Sequence, residues 1–262
     1  MIESWIDLPA PAVFALLTAL YAATGALIVW ATFGRSLGAS IRRFDGVAPP
    51  FFGAVAILFA LMAGFLASDI ADRNRQAARA VQTEAAELRN VFTLSVASKP
   101  DMAAIRADWT DYIKAVTRDE WPAMTTGDSA ASVDRAFDAL LRELSEPSMA
   151  ANAGTAVNVA MINAAVRVSS ARSERLSLAS DSTSELKWSI VLILGIMTQV
   201  AIGVVHLQKR NPQIAALVVF SVSAVVALGL IALQEHPFSG AVRVGPEPLL
   251  DLLKLQGPNG GV

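Results

Sequence analysis

The chain has 262 residues, 54% of them hydrophobic and only 17% charged, a balance that disfavours a water-soluble globule. It has no cysteine and only two histidines, which excludes thiolate nucleophiles, disulfides, CxxC redox pairs and thiolate metal cages. A formal charge of −2 lacks the basic excess that phosphate-backbone binding needs, so nucleic acid is not an expected partner.

Four long runs carry no Asp, Glu, Lys or Arg: Ala12 to Phe33, Ala48 to Ser68, Trp188 to Leu207 and Gln213 to Leu233. Each is about the ~20 residues that a bilayer-spanning helix requires, and ions beside lipid are costly. Four transmembrane helices are expected. Met1 to Pro11 has Glu3 and Asp7 but no basic residue, so the first span does not read as a cleavable signal. Trp5 and Trp188 near span ends on one side, and Trp30 on the other, suit rings at the headgroup level, with simple packing as the open alternative.

The short links after spans one and three carry Arg35, Arg42, Arg43, Lys209 and Arg210, whereas the N-terminal tail carries none. The positive-inside rule then puts both links inside and the long middle segment in the periplasm. Arg73, Arg75, Arg79, Arg172, Arg175 and Lys187 flank that segment and argue for the opposite orientation.

Asp69 to Lys187, 119 residues, holds 14 basic and 17 acidic residues and is the expected extramembrane domain. Phe65 to Ser98 contains neither Gly nor Pro, and Ile70, Ala77, Val81, Ala85, Leu88 and Phe92 recur at helical spacing, so span two is predicted to run on unbroken. A second helix is expected from a cap at Asp101, with Met102, Ile105, Trp109, Ile113 and Val116 on one face, ending at Pro122. A third opens at Asp128 or Ser129, carries Val133, Phe137, Leu140, Leu141 and Leu144, and stops before Pro147. A fourth starts near Ser148, with Val157, Met161, Ala164 and Val168 as its buried stripe. Ser182 and Glu185 fit a capping box that begins span three, and Gln256 to Val262 reads as a disordered tail. The fold class is all-α. Its divisions are a first helix pair (1–68), a helical domain (69–187), a second helix pair (188–236) and a C-terminal tail (237–262).

Phe52, Val55, Phe59, Met62 and Leu66 share one face of span two, with Asp69, Asp72, Arg73 and Gln76 just beyond. That pattern describes a pore lining opening onto charge, and equally lipid contact followed by solvent. Gly53, Ala56, Ala60, Ala63 and Ala67 form a small-residue face suited to close helix packing. Thr198, Gln199 and His206 on span three are read as interhelical hydrogen-bonding groups. Glu84, Glu87, Asp119 and Glu120 are read as solvated helix faces, since no nucleophile, histidine partner or phosphate loop accompanies them. No enzyme, cofactor or metal site is expected.

Several strings together resemble the bacterial family called bestrophin-like, also known as DUF4239. They are Asp72-Arg73-Asn74-Arg75 with Glu84-Ala85, Tyr112 with Glu120-Trp121-Pro122, Arg172 to Arg175-Leu176, Trp188, and Pro237-Phe238-Ser239-Gly240. The resemblance covers about Pro49 to Pro248 and implies kinship with pentameric anion channels whose second span lines a hydrophobic neck. It makes Phe52, Phe59 and Met62 neck candidates and implies a cytosolic vestibule, opposite to the basic-residue reading. Calcium-gated relatives follow Pro-Phe-Gly with a run of acids. Here Ser239, Gly240, Ala241, Val242 and Arg243 follow instead, which argues against calcium gating.

Two functions stay open at this point: a homo-oligomeric channel for small ions in the bacterial inner membrane, and a sensory or interaction protein anchored by its spans.

Overall fold

The computed structural model describes residues 8–35, 38–41, 43, 49–98, 101–124, 129–181, 183–239 and 242–256. Among these there is no strand. The chain divides into two compact units. One comprises Met1–Asp72, Thr183–Glu235 and Gly240–Val242; the other comprises Arg73–Ser182, His236–Ser239 and Arg243–Val262.

Four helices are long and apolar enough to cross a bilayer: α1 (Ala10–Phe33), α2 (Pro49–Ala97), α7 (Glu185–Val205) and α8 (Arg210–Ala232). The protein is an all-α membrane protein. Helix α2 runs without a break from the second apolar run through the charged stretch, as expected for a segment with no Gly or Pro after Phe65.

The first unit packs α1, α7, α8 and the early part of α2 around Val13, Leu17, Tyr21, Leu66, Ile70, Trp188, Val191, Ala224 and Leu228. Lipid tails are as apolar as these side chains, so close contact and polar pairing must hold the spans together. At Gly195 of α7 an added methyl would strike the Tyr21 hydroxyl, and at Gly229 of α8 it would strike the Phe14 ring. Glycine lets α1 approach at both points.

Gln199 supplies the polar pairing: its Nε2 donates to the Tyr21 carbonyl and to Ser221 Oγ, each at 2.9 Å, and its Oε1 accepts from Thr24. Gln213 Nε2 donates across to the Gly203 carbonyl at 2.8 Å. The hydrogen-bonding role read for Gln199 is met by groups on α1 and α8.

Trp188 takes the packing role. It is fully buried, and its indole N–H donates to Glu235 Oε2 at 3.1 Å. Glu235 Oε1 also accepts from the Thr183 amide at 2.7 Å. Trp30 is 57% exposed, while Trp5 lies outside the described residues. The cap of α7 is Ser184, whose side chain accepts from Leu186; Ser182 lies outside the described residues.

The second unit is built from the later part of α2 with α3 (Ala103–Ala115), α4 (Ala131–Leu144), α5 (Pro147–Ala153), α6 (Thr155–Ser180) and α9 (Glu247–Leu253). Its core includes Leu88, Val91, Ile105, Trp109, Tyr112, Ile113, Leu140, Leu144, Met161 and Val168. Asp101 accepts from the Ala103 amide at 3.0 Å, and the predicted apolar face of α3 is buried.

Pro122 does not end α3 directly. A π turn, Val116–Glu120, comes first, then one short helical segment, Trp121–Ala123. Proline has no N–H for a bond to the fourth residue back, and the wide turn absorbs that loss. Helix α4 starts at Ala131 after an Ala130 cap without a side-chain bond, so Ser129 does not cap it, and Asp128 lies outside the described residues. The expected fourth helix is split at Gly154, whose φ of 89° is a conformation L side chains rarely adopt. The C-terminal segment is not merely a tail, because Leu249 and Leu252 of α9 are buried in this core. Gln256 closes a short 3-10 turn, and residues 257–262 lie outside the described set.

Candidate functional site

Within the first unit the predicted row on span two turns inward. Phe52, Val55, Phe59 and Met62 are half-buried and Leu66 is 2% exposed. Phe59 meets Phe220 edge to face at 5.6 Å, and both Phe59 and Met62 pack on the bundle core. The row that faces away from the bundle is Ile57, Leu61 and Phe65, at 67%, 46% and 60% exposure. These three recur every four residues, so they stand one above another along the helix. Leu58 is also exposed, and a methyl added at Gly64 would meet nothing within 4 Å. Beyond Phe65 this face turns polar at Ser68, Asp69 and Asp72, all exposed. Asp69 accepts from Lys187 Nζ at 2.7 Å, an exposed ion pair of the kind worth under ~1 kcal/mol.

Within the second unit two of the four carboxylates read as solvated prove otherwise, whereas Asp119 is exposed and Glu87 half-buried. Glu84 on α2 and Glu120 in the π turn are fully buried, and Arg175 on α6 lies between them, itself fully buried. Arg175 Nε donates to Glu84 Oε2 at 2.8 Å and its Nη2 donates to Glu120 Oε1 at 2.8 Å. Glu120 is the last residue of the π turn.

Arg172, one turn earlier on α6, donates through Nε to Glu120 Oε2 at 2.9 Å and through Nη1 to Asp134 at 2.7 Å. Tyr112 donates its hydroxyl to Glu84 Oε1 at 2.7 Å, and the Arg175 guanidinium lies 5.1 Å from the Trp121 ring centroid. Burial and then the Glu84 charge hold the Tyr112 hydroxyl well above its ordinary range. Burial works against charge on Arg175, but Glu84 and Glu120 outweigh it and raise its pKa.

Each remaining carboxylate of that group has a partner too. Glu87 forms a two-bond pair with Arg167 at 2.7 and 3.0 Å, which lowers its pKa, and Asp119 accepts from Ser132 at 2.7 Å.

Phe238 completes the cluster's surroundings. It is 4% exposed and meets Trp121 edge to face at 5.8 Å, while the Pro237 carbonyl accepts from Val244 at 2.7 Å. Arg73 is buried at 8%, and Gly240 lies outside the described residues. Sequence reading missed Asp134 and Glu235. Asp134 carries no signal beyond its helical position, whereas Glu235 has one, as a lone acid placed directly after an apolar run. Among the described residues no group of His, Asp and Glu stands together that could hold a metal ion.

Four spanning helices, a helical insertion after the second and a doubly bridged arginine inside it define a class of helical membrane protein. A family model described as Bestrophin-like domain matches residues 19–249, and the chain belongs to that family. The fold is similar to that of a bacterial bestrophin homologue from Klebsiella pneumoniae, solved as single-substitution variants. One has a TM-score of 0.64 at 12% identity, covering 91% of this chain and 95% of that one. Another has 0.64 at 14%, covering 92% and 94%. A structure described as a membrane protein variant has 0.67 at 11% identity, covering 92% and 96%. No curated protein matches the chain.

Proposed function

We propose that the chain is one subunit of a homo-oligomeric channel for small ions, anions by family kinship, with span two lining a hydrophobic neck. One observation carries this reading: Ile57, Leu61 and Phe65 form an apolar row on α2 that stays exposed among the described residues of the subunit. A subunit with uncharged spans can surround a water path only by assembling about an axis, and a ring of such rows would gate by dewetting. The neck register therefore shifts from Phe52, Val55, Phe59, Met62 and Leu66, which pack inward, to the neighbouring face. Asp69 and Asp72 would stand at the mouth. The buried Glu84, Glu120 and Arg175 and the half-buried Arg172, with Trp121, Pro237 and Phe238, would hold the shape of the extramembrane domain rather than touch the ion.

Reconstitution in liposomes with Cl⁻ and K⁺ flux measurement tests the reading. Flux is expected, larger for Cl⁻; silence across pH, voltage and Ca²⁺ would leave an anchored interaction protein instead. The five cations of the two short links support placing those links on the cytoplasmic side of the inner membrane. A cysteine placed at Thr126, in a chain with none of its own, should then react with an impermeant maleimide outside spheroplasts. Its protection would put the domain in the cytosol.

A further inference from the structure

We infer that the groove between α1 and α8 binds an anionic phospholipid, with an acyl chain along the groove and the phosphate at Arg210. The groove has a volume of about 800 Å³, and among the described residues its lining comes from α1, Gly34 just after it, and α8. Its α1 lining includes the small residues Ala22, Gly25 and Ala26, and its α8 lining includes Ile214 and Val222. Small residues on one helix against branched ones on the next leave a slot rather than a ridge.

One end differs in chemistry. Trp30 and Arg210 both line the groove there, and both are exposed. Among the described residues no acid pairs with Arg210, and Lys209 adds a second exposed cation beside it. An indole at headgroup depth beside a guanidinium with free donors matches a lipid phosphate, and the apolar slot leading from it matches the chain attached to that phosphate. Water would leave the slot's apolar walls unsatisfied, and a zwitterionic headgroup would gain less from the paired cations.

Brominated acyl chains quench tryptophan on contact, which gives a direct test in the intact protein. The full chain is reconstituted in nanodiscs containing graded brominated phosphatidylglycerol or brominated phosphatidylcholine. The Trp30 component is the difference between the wild type and Trp30→Phe. Phosphatidylglycerol should quench that component at a roughly fivefold lower mole fraction, the equivalent of one cation's ~1 kcal/mol attraction to an anionic lipid surface. Arg210→Gln should remove the preference while keeping quenching by both lipids, and Ala26→Phe, which fills the slot, should reduce quenching by both.

Equal quenching by the two lipids in the wild type, or an unchanged preference in Arg210→Gln, overturns the inference. So does disulfide cross-linking of Ala22→Cys between subunits, which would show a second copy in the groove. The readout involves no ion flux, so a silent channel would not affect it.

Discussion

Arg175 and Glu84 stand 91 positions apart in sequence, yet Nε of one lies 2.8 Å from Oε2 of the other, and neither side chain reaches solvent. Such a pair contributes little net stability over an apolar replacement, but breaking it strands a buried charge. Arg175→Met should therefore destabilise the protein by about 3–5 kcal/mol. Adding Glu84→Gln removes one of the stranded charges, so the double variant should be more stable than the two single losses summed. Thermal unfolding in detergent reads both; strict additivity would show that the two groups do not act as a unit.

The alkaline limb of stability follows from Tyr112. Its folded pKa lies above the unfolded value of ~10, so its contribution is complete below that pH and falls as pH rises past it. Tyr112→Phe should flatten the loss between pH 9 and 11, at about 1–2 kcal/mol cost at neutral pH from the missing bond to Glu84. Unfolding midpoints of both proteins across that pH range check the sign.

Single-channel conductance distinguishes the two faces of span two. Alanine at Ile57, Leu61 or Phe65 should raise conductance several-fold with little change in stability, because these side chains are exposed on the subunit. Phe59→Ala should instead lower stability by about 3–5 kcal/mol, since its ring packs on Phe220. The reverse pattern would return the neck to the Phe59 face.

Close approach of α7 and α1 is tested at Gly195. Gly195→Ala pushes a methyl into the Tyr21 hydroxyl and should cost about 1–3 kcal/mol. Among the described residues that hydroxyl has no hydrogen-bond partner, so Tyr21→Phe should be near neutral alone and should relieve part of the Gly195→Ala loss. Melting curves of the three variants suffice, and no relief in the pair would place the clash elsewhere.

The amino-acid sequence by itself determined the four spans, the all-helical insertion and the unbroken α2. Each depends on a quantity written along the chain: run length without charge, helical spacing, and the positions of Gly and Pro. The strings around Glu84, Tyr112, Glu120 and Arg175 were visible too, but not their meeting. A carboxylate on a helix reads as solvated until the fold brings a cation from a distant helix, and here that cation comes from α6.

Only the tertiary structure decided which face of span two turns outward. Both faces are apolar, so periodicity finds two equally good rows, and burial of Leu66 beside exposure of Phe65 separates them. For the same reason Trp188 could not be placed from its position at a span end. Inside the bundle its indole N–H donates a hydrogen bond to Glu235, which lies beyond the last span.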